Sequence, residues 1–600
     1  MTKLSFGKLM LMAGLLLTGC GGGDQSGQSD SQAAAQGSGS VTSATVTQGA
    51  GEEQSVLEAI GAKMAGVRLA ARAVVSDDQL TLKQASAFLS RATFGPTMPE
   101  ITRVSQIGMN AWLDDQYTKR QILHKWWMGN TALRLVPGAV LHENHFFQTF
   151  WKYAIVGEDQ LRQRVTYALS QIFVISFQDG AVGMYPRGVA CYYDMLGTNA
   201  FGNFRQLLEG VATSPMMGIY LSHMQNRPES DSTTPDENFA RELMQLMTIG
   251  LHQLNQDGTV KLVNQQPVPT YTRDDVVGLA KVFTGWSWGG GARTENRFLG
   301  MYNYSDPYKD CLPMQNYPTY HSTSEKRVLG SVIPAGGTGE SDLAQALDML
   351  FNHPNVGPFI GRQLIQRLVT SNPSPGYVGR VAAAFANNGE GVRGDMQAVI
   401  RAILTDPEAA SGTQSELGKL REPVLRLANW LRSFNARSTS GLYDIWTLED
   451  PLNGIGQNVM RSPSVFNFYR PNYSPPQTGL AAEGYVAPEM QIAGESSIVG
   501  YLNFMEIAIP YGIGQNANIK PDYVAEIGLA DDPEALLDRI DLLLTNGNMS
   551  ESLREQIIAS VETLPIPQRV NALTLRNARL RRVHLAIYLT MASPEYLVMK

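Results

Sequence analysis

The chain has 600 residues but only three cysteines, and it has no long run of one charge. Asp and Glu outnumber Lys and Arg, which gives a formal net charge of −7. The cysteine count excludes a zinc cluster built from thiolates. The absence of a basic run argues against nucleic acid as a partner. Beyond the first 20 residues, no stretch has the roughly 20 apolar residues that span a bilayer.

The first 20 residues are typical of an export signal. Lys3 and Lys8 precede a short apolar run over 9–17, and the run ends in Leu-Thr-Gly-Cys at 17–20. That ending resembles a bacterial lipobox, in which the cysteine is acylated and the chain is cut just before it. We therefore expect a signal peptide over 1–19 and a lipid on Cys20. An ordinary signal peptide followed by an unrelated cysteine is the alternative.

Residues 21–52 are mostly Gly, Ser, Gln, Ala and Thr, with almost no large apolar side chain. Such a segment cannot bury enough surface to offset the entropy of ordering it, so 20–52 is predicted to be a flexible tether. No Asp follows Cys20, so the usual inner-membrane retention signal is missing. The expected location is the cell envelope, on the outer membrane facing the periplasm or exterior where two membranes exist.

Apolar residues recur at helical spacing along most of the remaining chain, while strand patterns are scarce. The predicted fold is mainly α: a linker helix over 53–84 and a large helical body over 85–600. Two long irregular regions are expected, at 286–334 and 435–511, and a division of the body near 435–515 is left open. Helices are predicted over 55–73, 82–92, 161–175, 203–212, 240–249, 274–284, 341–351, 356–368, 378–386, 396–404, 417–434, 533–544, 552–563 and 570–591.

Cys191 and Cys311 are the two cysteines of the body. An exported protein meets an oxidising compartment that permits a disulfide between them. Their spacing does not show whether they meet, so the bridge stays open at this stage.

Residues 234–250 (TPDENFARELMQLMTIG) are the most informative about a site. The pattern predicts a capping box at Thr234 and Glu237, and a glycine end at Gly250. Glu237 and Arg241 are four apart and can pair. Asn238 and Glu242 share a helix face, where an amide and a carboxylate suit a divalent metal or a sugar. In the alternative interpretation Glu237 only caps and Glu242 only pairs with an arginine.

Four further residues are candidates for chemistry. His142 and His145 are three apart and could share a metal, although the spacing is not that of the HExxH zinc signature. His321 and Lys326 stand in YHSTSEK within the first irregular region, where either could serve in acid–base work or bind an anion. Ordinary packing of the histidines and an exposed loop around His321 are the alternatives. No nucleophile elbow, phosphate loop or dinucleotide fingerprint is present.

Several blocks, taken in order, resemble the bacterial family of unknown function DUF1800 over roughly 85–600. They are RATFGP (91–96), ENHFF (143–147), NAFGNFRQLL (199–208), PDENFARELMQLMTIG (235–250), YTRDDV (271–276), VFTGW (282–286), YHSTSEKRVLG (320–330), RGDMQAVIRAILTDPEA (393–409), KLREPVLRLANWLRSF (419–434), PSVFNFYRPNY (463–473) and APEMQI (487–492).

The resemblance implies a secreted helical protein and no particular activity. It also implies a partner, because a neighbouring gene often encodes an exported protein with an alkaline-phosphatase-like fold. The family's recurrent polar positions fall on His145, Glu237, Asn238, Arg241, Glu242, His321 and Lys326. One departure is Gln245, where the family often has Glu; Met247 replaces a frequent His or Phe.

These observations leave whether the protein is an enzyme undecided. The favoured hypothesis is a lipid-anchored envelope protein that binds or assembles with a secreted partner and is not catalytic. The alternative is a metal-dependent, hydrolase-like enzyme acting on a polymer or glycan. Its catalytic candidates are Glu242, His145, His321 and Lys326, and its metal candidates are His145, Asn238 and Glu242.

Overall fold

A computed structural model describes residues 80–137, 139–301, 306, 308–411, 418–446 and 448–600. The predicted signal peptide, Cys20, the tether and the helix expected over 55–73 lie outside these residues. Most of the linker helix expected over 53–84 lies outside them too.

The described residues are mainly helical, as predicted. In chain order the helices are α1 (Leu82–Ala92), α2 (Met98–Thr118), α3 (His124–Ala132), α4 (Glu143–Val156), α5 (Gln160–Ser170), α6 (Gly180–Gly183), α7 (Pro186–Asn199), α8 (Phe204–Ala212), α9 (Pro215–Tyr220), α10 (Asn238–Gln245), α11 (Arg273–Val282), α12 (Glu295–Phe298), α13 (Gly339–Asn352), α14 (Val356–Leu368), α15 (Pro375–Ala386), α16 (Met396–Leu404), α17 (Pro407–Ser411), α18 (Pro423–Ser433), α19 (Gly479–Ala482), α20 (Glu495–Tyr511), α21 (Val524–Leu529), α22 (Pro533–Leu544), α23 (Glu551–Glu562), α24 (Ala572–Ala592) and α25 (Pro594–Leu597).

Local chemistry explains where several helices begin. Thr81 caps α1: the Gln84 N–H donates to Thr81 Oγ1 at 3.2 Å, and the Thr81 N–H donates to Gln84 Oε1 at 2.9 Å. The helix predicted over 417–434 begins only at Pro423, because proline suits the first helical position and lacks the N–H that an interior position needs.

The strands are two or three residues long and pair only as antiparallel two-stranded ladders within the described residues. The pairs are β1 (Leu262–Val263) with β2 (Gln266–Pro267), β3 (Trp286–Ser287) with β4 (Gln315–Asn316), β5 (Lys326–Val328) with β6 (Ser331–Ile333), β7 (Lys419–Leu420) with β10 (Val598–Met599), and β8 (Arg437–Ser438) with β9 (Ile519–Lys520).

One continuous hydrophobic cluster runs from Ala85 to Tyr596 and holds the helices together. Trp112, Trp151 and Trp430 are among its largest fully buried side chains. The described residues from Leu80 onward fall in one compact unit. Among the described residues, no helix combines the length and apolarity that crossing a membrane requires.

The two predicted irregular regions differ in structure. Region 286–334 is confirmed as short ladders and turns around β3 to β6. Region 435–511 is irregular up to Gly494, but α20 then occupies 495–511, so the prediction of a loop there is wrong. The error has a physical cause: apolar residues lie on both the buried and the exposed sides of α20, which hides the helical period.

The informative helix at 234–250 is shorter than predicted. α10 begins at Asn238, whose N–H donates to Asp236 Oδ1 at 2.8 Å, so the capping box predicted at Thr234 is wrong. Pro235 precedes the helix, and Thr234 makes no cap hydrogen bond in the described structure. The other end also differs from the prediction, because α10 ends at Gln245 with Leu246 as its C-cap. Gly250 lies beyond the helix, in a turn where its φ of +71° is one that glycine tolerates.

Candidate functional site

Three blocks that are distant in sequence meet beside α10. The rings of His223 and Phe239 stack with their centroids 3.9 Å apart, and Phe283 packs edge-on against both. The Gly285 N–H donates to the Asn226 carbonyl at 2.8 Å. The segments around 223–242, 282–286 and 317–326 therefore form one continuous region.

At the base of this region lies a fully buried ion cluster, made by His321, Lys326 and Asp342. Lys326 Nζ is 2.7 Å from Asp342 Oδ2, and His321 Nε2 is 3.1 Å from the same oxygen. Each of the three residues is at most 5% exposed. Lys326 Nζ also donates to the carbonyls of Ser322 and Ser324 at 2.8 and 2.9 Å. The ammonium group therefore has three protein acceptors.

Each ring nitrogen of His321 makes a polar contact. Its Nδ1 is 2.9 Å from the Thr284 carbonyl, which can only accept, so Nδ1 carries a proton. Its Nε2 faces the Asp342 carboxylate, which also accepts. The Asp342 carboxylate is therefore shared by Lys326 and His321. This arrangement joins β5 and the loop before it to α13, which is a structural role.

Next to the buried cluster, four side chains form a second polar group. They are Glu229, Lys281, Ser322 and Ser324. Glu229 Oε1 accepts from Ser322 Oγ at 2.9 Å and from Ser324 Oγ at a shorter distance, and it lies 3.4 Å from Lys281 Nζ. Lys281 Nζ donates to Ser324 Oγ at 3.0 Å. Burial alone would raise the pKa of Glu229, but the serine hydrogen bonds and the Lys281 charge lower it to about 2. Glu229 is therefore ionised and Lys281 is its counter-ion.

The sequence predicted that Asn238 and Glu242 face one cavity, but the two side chains differ in their surroundings. Asn238 is exposed, whereas Glu242 is only 8% exposed. Glu242 Oε2 is buried and has no hydrogen-bond partner among the described residues. Burial raises the pKa of Glu242, and the charge of Arg241 opposes that rise.

Replacing Glu242 with Gln is expected to raise the melting temperature at about pH 7.5 and to leave it almost unchanged at about pH 4. The folded-state pKa of Glu242 lies above its ordinary value of 4.5, so stability is lost as the pH rises through the folded-state pKa. The neutral amide removes that loss. Thermal unfolding of wild type and of Glu242→Gln at the two pH values measures the difference in melting temperature.

Glu237→Gln provides the matched control, since Glu237 is also on this segment and pairs with Arg241 at 2.8 Å. Loss of that partly exposed pair is expected to lower stability by about 0.2–1 kcal/mol at neutral pH. A fall in melting temperature for Glu242→Gln at pH 7.5 would show instead that the carboxylate has a stabilising partner.

His145 lies apart from these groups, at the start of α4. Its Nδ1 accepts from the His142 N–H at 2.9 Å, so the two histidines form a helix cap. Burial lowers the pKa of His145. No group of three or more His, Cys, Asp or Glu side chains suited to a metal is found in the part of the chain that the structure describes. Binding of a divalent metal and metal-dependent catalysis therefore stay predictions.

Of the predicted residues, two pairs come together: Glu237 with Arg241, and His321 with Lys326 through Asp342. The sequence reasoning missed five residues of this region: Glu229, Lys281, Ser322, Ser324 and Asp342. Ser322 and Ser324 stand inside YHSTSEK, so that block could have indicated them. Nothing in the sequence near Asp342 indicates that it contacts Lys326 and His321, which stand 16 or more positions earlier.

Cys191 of α7 and Cys311 are joined by a disulfide, with their Cα atoms 5.4 Å apart. The bridge that the sequence left open is therefore present. Arg187 and Asp310 form an ion pair beside it, at 2.6 Å between Nη2 and Oδ1. The two contacts join α7 to the first irregular region.

A cleft of about 620 Å³ lies elsewhere, between α2, α18 and the 522–539 segment. Its walls carry both charges, with Glu100, Arg103, Lys119 and Arg437 among them. None of the predicted site residues lines it. The predicted polar residues and this cleft are thus separate features.

A surface of exposed apolar side chains surrounds α20 and the loop beside it. A Cβ added to Gly500 would lie 2.1 Å from the Pro451 carbonyl oxygen, so the loop rests directly on the helix. We name this surface the α20 apolar face. Its exposed members are Leu452 of the loop and Ile498, Val499, Ile507 and Tyr511 of the helix.

These features define a class: a large α-helical protein with a disulfide, a buried ion cluster and an exposed apolar helix face. The family model described as protein of unknown function, DUF1800, matches residues 87–598, and the chain belongs to this family. No curated protein and no solved structure matches the chain.

Proposed function

We propose that this protein is a lipid-anchored component of the cell envelope that binds an exported partner protein and is not itself catalytic. The α20 apolar face is the binding surface. The partner expected from the family resemblance is the exported protein with an alkaline-phosphatase-like fold encoded by a neighbouring gene.

The observation that carries the proposal is the exposure of apolar side chains on the outer side of α20. Ile507 is 63% exposed and Tyr511 is 66% exposed, while Tyr501, Met505 and Ile509 on the inner side are buried. A surface helix ordinarily presents polar residues to water. A concentration of exposed apolar groups is typical of an interaction site.

The charges around this face favour a protein over a lipid surface. α20 contains Glu495 and Glu506 and no Lys or Arg. Helices that lie on membranes usually carry Lys and Arg on their polar side, where these residues attract anionic lipids. The opposite charge on α20 would repel such lipids.

Export is supported by the disulfide and by the pattern of the first 20 residues. Disulfides persist mainly in oxidising compartments such as the periplasm and the cell exterior. The Cys191–Cys311 bridge suits a protein that works there.

The double variant Val499→Glu/Ile507→Glu is expected to weaken binding of the purified neighbouring-gene product at least about tenfold, which corresponds to 1.4 kcal/mol. Two new charges in an apolar contact must lose water when the partner binds. Calorimetric titration of the two purified proteins measures the change, and thermal unfolding checks that the variant is folded.

The control is Leu133→Glu/Val136→Glu, which adds the same charge at two side chains that are 86% and 71% exposed. It should leave binding unchanged. Equal binding by wild type and the Val499/Ile507 variant would contradict the proposal. Binding of wild type to phospholipid vesicles, lost in that variant, would assign the face to a membrane instead.

A further inference from the structure

A second feature lies in the core, where cationic side chains gather on the buried side of the helices. Each is less than one-tenth exposed, and the group comprises Arg164, Arg367, Lys419, Arg421 and Arg426. Burial of a charged group without compensation is costly, so such groups are normally paired or neutralised. The cluster therefore raises the question of its counter-charges.

Two buried carboxylates supply only part of that charge. Glu489 pairs closely with Lys419. Glu422 Oε2 accepts instead from four neutral groups, the hydroxyls of Tyr167 and Tyr469 and the amides of Gln171 and Gln457. In the part of the chain that the structure describes, five buried basic side chains thus lie near two buried carboxylates.

The arginines hydrogen-bond to neutral oxygens. Arg164 Nη2 donates to the Arg367 carbonyl at 2.6 Å, and Arg421 Nη1 donates to the Leu544 carbonyl at 3.0 Å. Arg164 Nε and Nη1 are buried and have no partner among the described residues. Two strong donors of one guanidinium group are therefore unused.

A small space of about 20 Å³ adjoins these groups. Arg164, Lys419 and Arg421 line it, together with the polar residues Ser90, Thr93 and Asn429. A cavity needs roughly 10–15 Å³ to hold one water molecule. The space is therefore large enough for one water molecule or one small ion.

We propose that this cavity binds a single halide ion, chloride under ordinary conditions, held between Arg164, Lys419 and Arg421. The ion supplies the missing negative charge and accepts hydrogen bonds from the unused donors of Arg164. It joins α5, α18 and the β7–β10 ladder, which meet around the cavity, and so acts as a structural ion.

The test begins with crystals of the full chain soaked in sodium bromide, where an anomalous difference peak is expected in this cavity. In solution, the melting temperature is measured in sodium chloride, sodium bromide and sodium gluconate at equal ionic strength. Chloride and bromide are expected to give a saturable rise over gluconate of about 2 °C or more.

Arg164→Gln should abolish the difference between halide and gluconate, and Arg103→Gln, on the protein surface, should retain it. If Arg164→Gln does not fold, Arg421→Gln and the bromide peak in wild type still decide the matter. A cavity without an anomalous peak, or equal melting temperatures in all three salts, would overturn the proposal and assign the space to water.

Discussion

Asp342→Asn is expected to lower the free energy of unfolding by about 3–5 kcal/mol, the usual cost of removing one partner from a buried ion pair. The substitution keeps the shape of the side chain but removes the charge that Lys326 and His321 share. Both partners of Asp342 are almost completely buried, so water cannot replace the carboxylate. Chemical denaturation of wild type and variant measures the loss.

Glu340→Gln is a close control, because Glu340 is in the first turn of the same helix and its pair with Arg293 is about half exposed. That change should cost about 1 kcal/mol or less. The double variant Lys326→Met/Asp342→Asn should cost less than the sum of its single variants, since it leaves no unpaired ammonium. A loss for Asp342→Asn no larger than that for Glu340→Gln would refute the role assigned to the ion cluster.

The second large effect is expected from the disulfide. Cys191→Ala/Cys311→Ala should lower the free energy of unfolding by about 2–5 kcal/mol, because the bridge closes a long loop and so limits the unfolded chain. The two cysteines are 120 residues apart in sequence. Unfolding of the double variant and of wild type, each with and without reductant, measures the effect.

Reductant should destabilise wild type and have no effect on the alanine variant. Arg187→Gln tests the ion pair that joins the same two segments, and it should cost about 1–3 kcal/mol, because it leaves the buried Asp310 carboxylate without its charged partner. If the alanine variant were as stable as wild type, and equally resistant to proteolysis in region 286–334, the bridge would have no stabilising role.

Much of the helical framework could be predicted from local pattern alone. The helices at 82–92, 356–368, 396–404 and 533–544 have the predicted bounds. In each, apolar spacing agrees with the turn residues or prolines at its ends, so local and global preferences coincide. α20 was missed for the opposite reason, since its exposed side is apolar and no amphipathic period shows.

The candidate site was only partly predictable. The block 320–330 contributes His321 and Lys326, as the sequence suggested, but their common partner Asp342 comes from another element. Glu242 is buried and Asn238 is exposed, although both stand on the same predicted helix face. What surrounds a helix face depends on which elements pack there, and local spacing carries no record of that.

The sequence by itself determined the helical character of the body, most helix positions, the family and the residue types available for a site. Only the tertiary structure decided that Cys191 meets Cys311, that Asp342 lies between Lys326 and His321, and that Arg164 adjoins a small cavity. The physical reason is the sequence separation of the residues involved. Helix formation depends on neighbours within a few residues, whereas these contacts join distant positions that only the packing of the whole core brings together.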